Sequence, residues 1–340
     1  MYEGLTITVS NTTMDCMAVI DIAPTSPPAD TKVERLNSAS IKRVIEPEER
    51  FDWSSLGAGQ VIGDDLLTTT GSYELDAATR ARLSRLEVAS ILSGGIRFEA
   101  VLMAGFSLQI AACEDLRDPR VTYMLHEVGE ETRHSRAFAR LLEQVGGNAH
   151  DPLMGGPIGK IARPISRVII KRPALLAVMI LGGEEIPDLI QKLAADHPDT
   201  DPLLAAVNRY HRQEEARHLT FARLTLPELF KDANLLERRL IARLAPLAIR
   251  GMFEGLVHPG VYKAIGLPGF KTWRAVNKSA RRIALRHEAT RPVLGALMDA
   301  DIYKPGRIPR GWRNLCGVDA KGDPDPRFPT LDSFLAVPAA

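Results

Sequence analysis

The sequence predicts an all-α protein, a helical bundle with additional C-terminal helices. Three observations lead there. From Asp76 to Leu226, apolar residues recur at helical spacing between helix-start and helix-stop signals. No run alternates apolar and polar residues long enough for a central sheet, and no repeat occurs at a solenoid period. Two Glu-x-x-His pairs, Glu131–His134 and Glu215–His218, lie in separate helical stretches.

The elements follow in order. Residues 1–40 read as a disordered leader, because Ala23 to Asp30 (APTSPPAD) is rich in Pro and small polar residues. Residues 41–75 carry short apolar pieces around Phe51, Trp53, Leu66 and Leu67 without a period, as in an irregular arm packed on the body. Asp76 caps the first long helix, which runs through Leu83, Leu86 and Leu92. Gly94-Gly95 is a candidate bend, and the helix continues through Ile96 to Leu116 with Glu99 in a strongly apolar setting. Asp118-Pro119 opens the second helix, with Pro in its first turn, and Gly146-Gly147 ends it. Arg163 to Arg172 is a short basic and apolar segment. Pro173 opens a third long helix and Pro202 a fourth. Further helices are expected at about 227–257 and 268–297. The tail 304–340, rich in Pro, Gly and Arg, reads as extended and surface-wrapping. The chain thus divides into the leader, a single all-α domain at 41–303 with its core at about 76–227, and the tail.

Composition bounds the function. The chain has 340 residues, enough for a large core, with 45% hydrophobic and 25% charged residues, ordinary for a globular protein. A net charge of +1 argues against a general polyanion binder, so no nucleic-acid partner is expected. Cys16, Cys113 and Cys316 lie far apart, which suggests a reducing compartment and no thiolate metal site. The longest uninterrupted apolar run, Ala174 to Gly183, is too short to span a bilayer, and the N-terminus lacks a basic region followed by an apolar one. A cytoplasmic protein without a membrane partner is the expectation.

The chemistry concentrates in a few residues. His211, Glu215 and His218 are spaced i, i+4, i+7, so all three project from one helix face. Glu131 and His134 form a second such group. Glu99 and the Glu184-Glu185 pair sit among apolar neighbours, where an unpartnered carboxylate costs several kcal/mol. The order Glu, Glu-x-x-His, Glu, Glu-x-x-His on successive helices is the ligand pattern of carboxylate-bridged two-metal sites in ferritin-like helical bundles. Carboxylate and imidazole without thiolate suit iron or manganese, although ligand type alone also admits zinc. The i, i+3 spacing favours Glu131 and Glu215, while Glu130 and Glu214 at i, i+4 stay open, as does Glu185 beside Glu184. A single Glu-x-x-His pair carries little weight, because solvated helix faces produce such pairs by chance. His126 and Glu127 read as surface or supporting groups.

With these residues assembled, the chain resembles the ferritin-like di-iron arylamine N-oxygenase family. The resemblance rests on a third histidine, His211, four residues before the Glu of the second Glu-x-x-His. It also rests on Ile96-Arg97-Phe98-Glu99 leading into an apolar helix, on Asp118-Pro119, and on the interval from Glu184 to His211, which favours Glu184 over Glu185. It covers about residues 40–225. It implies a non-haem di-iron monooxygenase with metal ligands Glu99, Glu131, His134, Glu184, His211, Glu215 and His218. Glu99 and His134 would belong to one iron, Glu184, His211 and His218 to the other, and Glu131 and Glu215 would bridge. The cofactor would be two iron ions, with manganese as the alternative. The partners would be O2, a small amine substrate and an external electron donor or reductase, with a homodimer as an allowed assembly. No catalytic residue beyond the ligands is implied.

Other functions fit parts of the pattern. A ferroxidase or iron-handling protein would share the ligands, but the length and the extra C-terminal helices argue against a shell-forming bundle. A C-hydroxylase would use the same scaffold. A radical-generating subunit would need a tyrosine beside the metals, for which Tyr123 and Tyr210 are the candidates. A metal-free helical interaction protein is the remaining alternative. Arg97 and the Arg163–Arg172 segment offer contacts to an acidic substrate or a reductase, against the plainer reading of solvated arginines.

Overall fold

A computed structural model describes residues 29–146 and 156–335. All regular structure among them is helical, apart from one isolated bridge between Val318 and Pro324. Four long helices form the bundle: α3 (Ala77–Ala112), α4 (Pro119–Val145), α6 (Pro173–Asp196) and α7 (Pro202–Asp232). Before them come α1 (Ala29–Lys42) and α2 (Pro47–Arg50), and α5 (Gly156–Ile170) lies in the crossover from α4 to α6. After them come α8 (Leu235–Arg243), α9 (Ala245–Gly255), α10 (Pro259–Ala264), α11 (Gly269–Asn277), α12 (Ala280–Asp299), α13 (Arg310–Cys316) and α14 (Asp332–Leu335).

Local chemistry sets the bundle helices. Asp76 accepts from Thr79 N, Asp118 from Arg120 N and Asp201 from Leu203 N, so each of these helices begins on a carboxylate cap. Pro119, Pro173 and Pro202 occupy first-turn positions, where a missing N–H costs nothing. Gly146 closes α4 with φ 70°, a conformation that glycine adopts freely. Short connections join α3 to α4 and α6 to α7 as helical hairpins, and α3–α6 and α4–α7 contacts assemble the hairpins.

The buried apolar residues fall into two clusters along the bundle. One holds Leu102 and Phe106, Val121 to Met124, Ala174 to Leu181, and Leu219 to Leu226. The other holds Leu83 to Leu92, Ala137 to Val145, and Leu203 to Tyr210. On α3, α4 and α7 the two stretches are separated by buried ionisable residues: Glu99, then Glu127 to His134, then His211 to His218. A charged layer therefore lies between two apolar ones.

Several expectations change in detail. Gly94-Gly95 does not interrupt α3, which ends at Ala112, four residues short of Leu116. The Phe138 ring packs against Gly95, so the helix continues there despite the weak propensity of glycine. By length and composition α3 is long and apolar enough to cross a membrane, although its apolar residues are not one unbroken run. In the structure it packs against α4, α5 and α6. The helix expected at 227–257 is three pieces, because α7 runs on through Pro227 to Asp232 and Asn234 caps a new start. The helix expected at 268–297 breaks at Lys278, where Ser279 caps α12.

The leader call falls mostly outside the described residues, and its last part is helix α1, packed on α4 and α7. The tail, expected to be extended, carries α13. There Trp312 is fully buried, and its indole N–H donates to Ile241 O at 3.0 Å. That anchor ties the C-terminal segment to α8 and α9.

Trp312→Ala removes the largest buried side chain of this segment. We expect a loss of about 3–5 kcal/mol of stability in chemical denaturation. A change within about 0.5 kcal/mol would show that the tail does not dock as described.

Candidate metal centre

The midsection of the bundle gathers the seven side chains singled out from the sequence. Ligand-capable atoms of Glu131, His134, Glu215 and His218 lie within 4.8 Å of one another. So do those of Glu99, His134 and His211, and those of Glu184, His211 and Glu215. All seven residues are buried. His211 thus stands between the carboxylates of α3 and α6, closer to Glu99 and His134 than the sequence assignment to a single metal position suggests.

The two Glu-x-x-His motifs interlock across α4 and α7. His134 Nδ1 faces Glu131 at 3.3 Å and Glu215 at 3.1 Å. His218 Nδ1 faces Glu215 at 3.0 Å and Glu131 at 3.3 Å. Each ring turns its Nε2 outward to a carboxylate of the opposite helix, His134 to Glu214 at 3.0 Å and His218 to Glu130 at 2.8 Å. Such a carboxylate behind an imidazole fixes its orientation and leaves the inner nitrogen free to ligate. Arg217 donates to Glu130 at 2.7 Å and lies 3.5 Å from Glu214, while Arg133 stands 3.9 Å from both.

The remaining carboxylates separate. Glu184 joins the cluster, while Glu185 pairs with Arg223. Glu130 and Glu214 stand behind the histidines, and Glu131 and Glu215 face inward. Ser135 donates its hydroxyl to Glu99. Glu127, read from sequence as a supporting group, is buried with both oxygens unpartnered, and burial pushes its carboxyl up to about 8. His126 is half-buried outside the cluster. Tyr123 and Tyr210 are buried near the layer, and Tyr210 packs edge-on against His134 at 5.6 Å.

The electrostatics describe a layer short of positive charge. Burial pushes Glu99 up and Glu184 well above the ordinary carboxylate range, and the neighbouring carboxylates add to both shifts. Burial opposes ionisation of Glu131 and Glu215 too, but His218 and His134 outweigh it and hold both low. Burial likewise opposes the charged forms of His134 and His218, yet the surrounding carboxylates hold both well above the ordinary imidazole value. Glu184 Oε1 is buried without a hydrogen-bond partner. An inward-facing acceptor with no donor suits a cation. With Glu130 and Glu214 offset by Arg133 and Arg217, the carboxylates Glu99, Glu131, Glu184 and Glu215 match the charge of two divalent ions.

A cavity of about 150 Å³ reaches this layer at Glu99, Glu184 and His211. Its walls include Phe98, Phe138 and Ile186, and Gly183 lets Phe98 lie against α6. A Cβ at Gly183 would fall 1.7 Å from the Phe98 ring. Glu87, Arg281 and Arg282 also line the cavity, with Glu87 about 18 Å along α3 from Glu99. Glu87 accepts from Thr68, and burial pushes it up to about 7. Arg282 stacks on Phe253 at 4.1 Å, and burial lowers both guanidinium pKa values.

Sequence reasoning missed Glu130, Glu214, Arg133 and Arg217 as a supporting set. The signal was present, because Glu130 to His134 (EETRH) and Glu214 to His218 (EEARH) share the pattern Glu-Glu-x-Arg-His. It also missed Gln191, whose Oε1 lies 2.9 Å from His211 Nδ1. No short-range pattern marks that residue.

Residues 28–301 match the family described as P-aminobenzoate N-oxygenase AurF. An uncharacterized protein of Mycobacterium tuberculosis (strain CDC 1551 / Oshkosh) is 25% identical over 234 residues, covering 66% of this chain and 68% of its own. Uncharacterized proteins of Mycobacterium bovis (strain ATCC BAA-935 / AF2122/97) and of Mycobacterium tuberculosis (strain ATCC 25618 / H37Rv) are each 24% identical with the same coverage. No solved structure matches significantly. The family match spans most of the chain, so the chain belongs to the p-aminobenzoate N-oxygenase family, a family of di-iron oxygenases.

The raised imidazoles carry a sign that can be tested. A histidine must lose its proton to ligate, so metal and protons compete. Folded-state pKa values above the ordinary one make that competition strong at neutral pH. Ferrous or cobaltous ion added to metal-free protein should release protons, and affinity should rise from about pH 6 to about pH 8. Proton release in a weakly buffered indicator titration checks this. Binding without proton release, or weaker binding at the higher pH, would contradict the arrangement.

Proposed function

We propose that this member of the p-aminobenzoate N-oxygenase family is a di-iron monooxygenase that uses O2 to oxygenate the nitrogen of an aryl amine. The observation that carries the reading is the buried layer of four inward carboxylates and three imidazoles, charge-matched to two divalent ions and open to an apolar cavity. Glu99 and His134 would hold one iron, Glu184, His211 and His218 the other, and Glu131 and Glu215 both. Manganese satisfies the same ligands. When bound, the iron pair supplies the redox chemistry that reduces dioxygen, with electrons from an external donor or reductase.

The chain's own residues do the rest. Glu214 and Glu130 keep the Nδ1 lone pairs of His134 and His218 pointed at the metal positions. The apolar layers above and below the site limit water, which strengthens every charge interaction inside it. Phe98, Phe138 and Ile186 suit a flat aromatic ring, with its reacting nitrogen toward Glu99, Glu184 and His211. Arg281 and Arg282, which line the cavity away from the metal layer, favour a substrate with an acidic group at its far end. The cavity favours small-molecule oxygenation over iron storage, which has no use for an apolar chamber at the metals.

Protein loaded anaerobically with ferrous ion should hold about two irons per chain. Given O2 and reductant, it should convert acidic anilines to N-oxygenated products faster than neutral anilines or alkyl amines, as mass spectrometry of a substrate panel would show. Uptake of many irons per chain without any oxygenated product would replace this reading with a ferroxidase. Oxygenation at carbon alone would retain the oxygenase and remove the amine assignment.

A further inference from the structure

The three buried histidines are supported in two different ways. His134 and His218 each turn Nε2 to a carboxylate, Glu214 and Glu130. His211 presents the opposite nitrogen. Its Nδ1 meets the side-chain oxygen of Gln191 at 2.9 Å, and its Nε2 points inward, 3.6 Å from Glu99 and 3.5 Å from Glu215. Gln191 lies on α6, seven residues after Glu184, so two helical turns bring both to the bundle interior. It is buried and lines the same cavity as His211.

This contact decides where the ring hydrogen sits. An amide oxygen only accepts, so Nδ1 must carry the hydrogen and the neutral ring keeps its lone pair on Nε2. A lone pair facing two carboxylate oxygens is repulsive unless a cation stands among them. We propose that Gln191 is a positioning residue that holds His211 in the ligating tautomer, with Nε2 directed at the metal position between Glu99, Glu184 and Glu215. The inference rests on the metal reading above and extends it to a residue on a different helix from the imidazole it serves. The amide is neutral, whereas Glu130 and Glu214 are acidic. Gln191 therefore orients its imidazole without placing a charge behind it.

The test uses cobaltous ion as a spectroscopic probe in the full chain, with Gln191→Met to remove the acceptor at similar volume and Gln191→Glu to restore it. Wild type should bind two Co(II) per chain and show one exchangeable, paramagnetically shifted ring N–H resonance for each of the three histidines. In Gln191→Met one site should weaken about 10–100-fold and one ring N–H should vanish into fast exchange. In Gln191→Glu both should return. Circular dichroism of each variant verifies the helical fold. If Gln191→Met keeps both affinities and all three resonances, Gln191 has no positioning role while the metal reading stands. The same conclusion follows if a folded Gln191→Glu behaves like Gln191→Met. Failure of wild type to bind two Co(II) would remove the metal reading and this inference with it.

Discussion

Everything in this molecule is arranged around the cost of burying charge. Glu99, Glu131, Glu184 and Glu215 lie in the middle of a helical bundle, away from water. Each would be costly to ionise alone, and their mutual repulsion raises that cost. The protein meets part of it by cross-pairing. The histidine of each Glu-Glu-x-Arg-His motif leans on the first glutamate of the other, and the two arginines neutralise those glutamates. What remains is the charge of the inward carboxylates, which two divalent ions would neutralise. The apolar clusters on either side then serve both stability and chemistry, since they hold four helices in register and keep solvent away from the layer.

The fold was legible where physical signals are local. Aspartate caps, first-turn prolines and helical periodicity located the four bundle helices, because those features act within a turn or two of chain. The pieces after residue 227 were not separable by the same means. Pro227 lies inside α7 while Ser279, an ordinary residue, starts a helix, and only tertiary packing decides between these roles. Helix α13 escaped notice because its anchor, Trp312, is recognisable only by what it touches.

The site divides the same way. The inward residues could be listed from spacing, since i, i+3 and i, i+4 relations are properties of one helix. Which of Glu184 and Glu185 turns inward depends on Arg223, nearly forty residues away, which engages Glu185. The acceptors behind the histidines are likewise reached across helices: Glu214 for His134, Glu130 for His218 and Gln191 for His211. Two of these sit inside a repeated motif, and one has no motif. That difference tracks a functional asymmetry. The amide-backed histidine is the one that borders the cavity, where a substrate would approach.

The most direct test of the account is a crystal structure of protein loaded anaerobically with ferrous ion, with anomalous data at the iron edge. The account predicts two iron peaks in the layer between the apolar clusters, within coordinating distance of Glu99, Glu131, His134, Glu184, His211, Glu215 and His218. A single peak, peaks elsewhere, or a layer closed by direct carboxylate–histidine pairing in iron-saturated protein would contradict it.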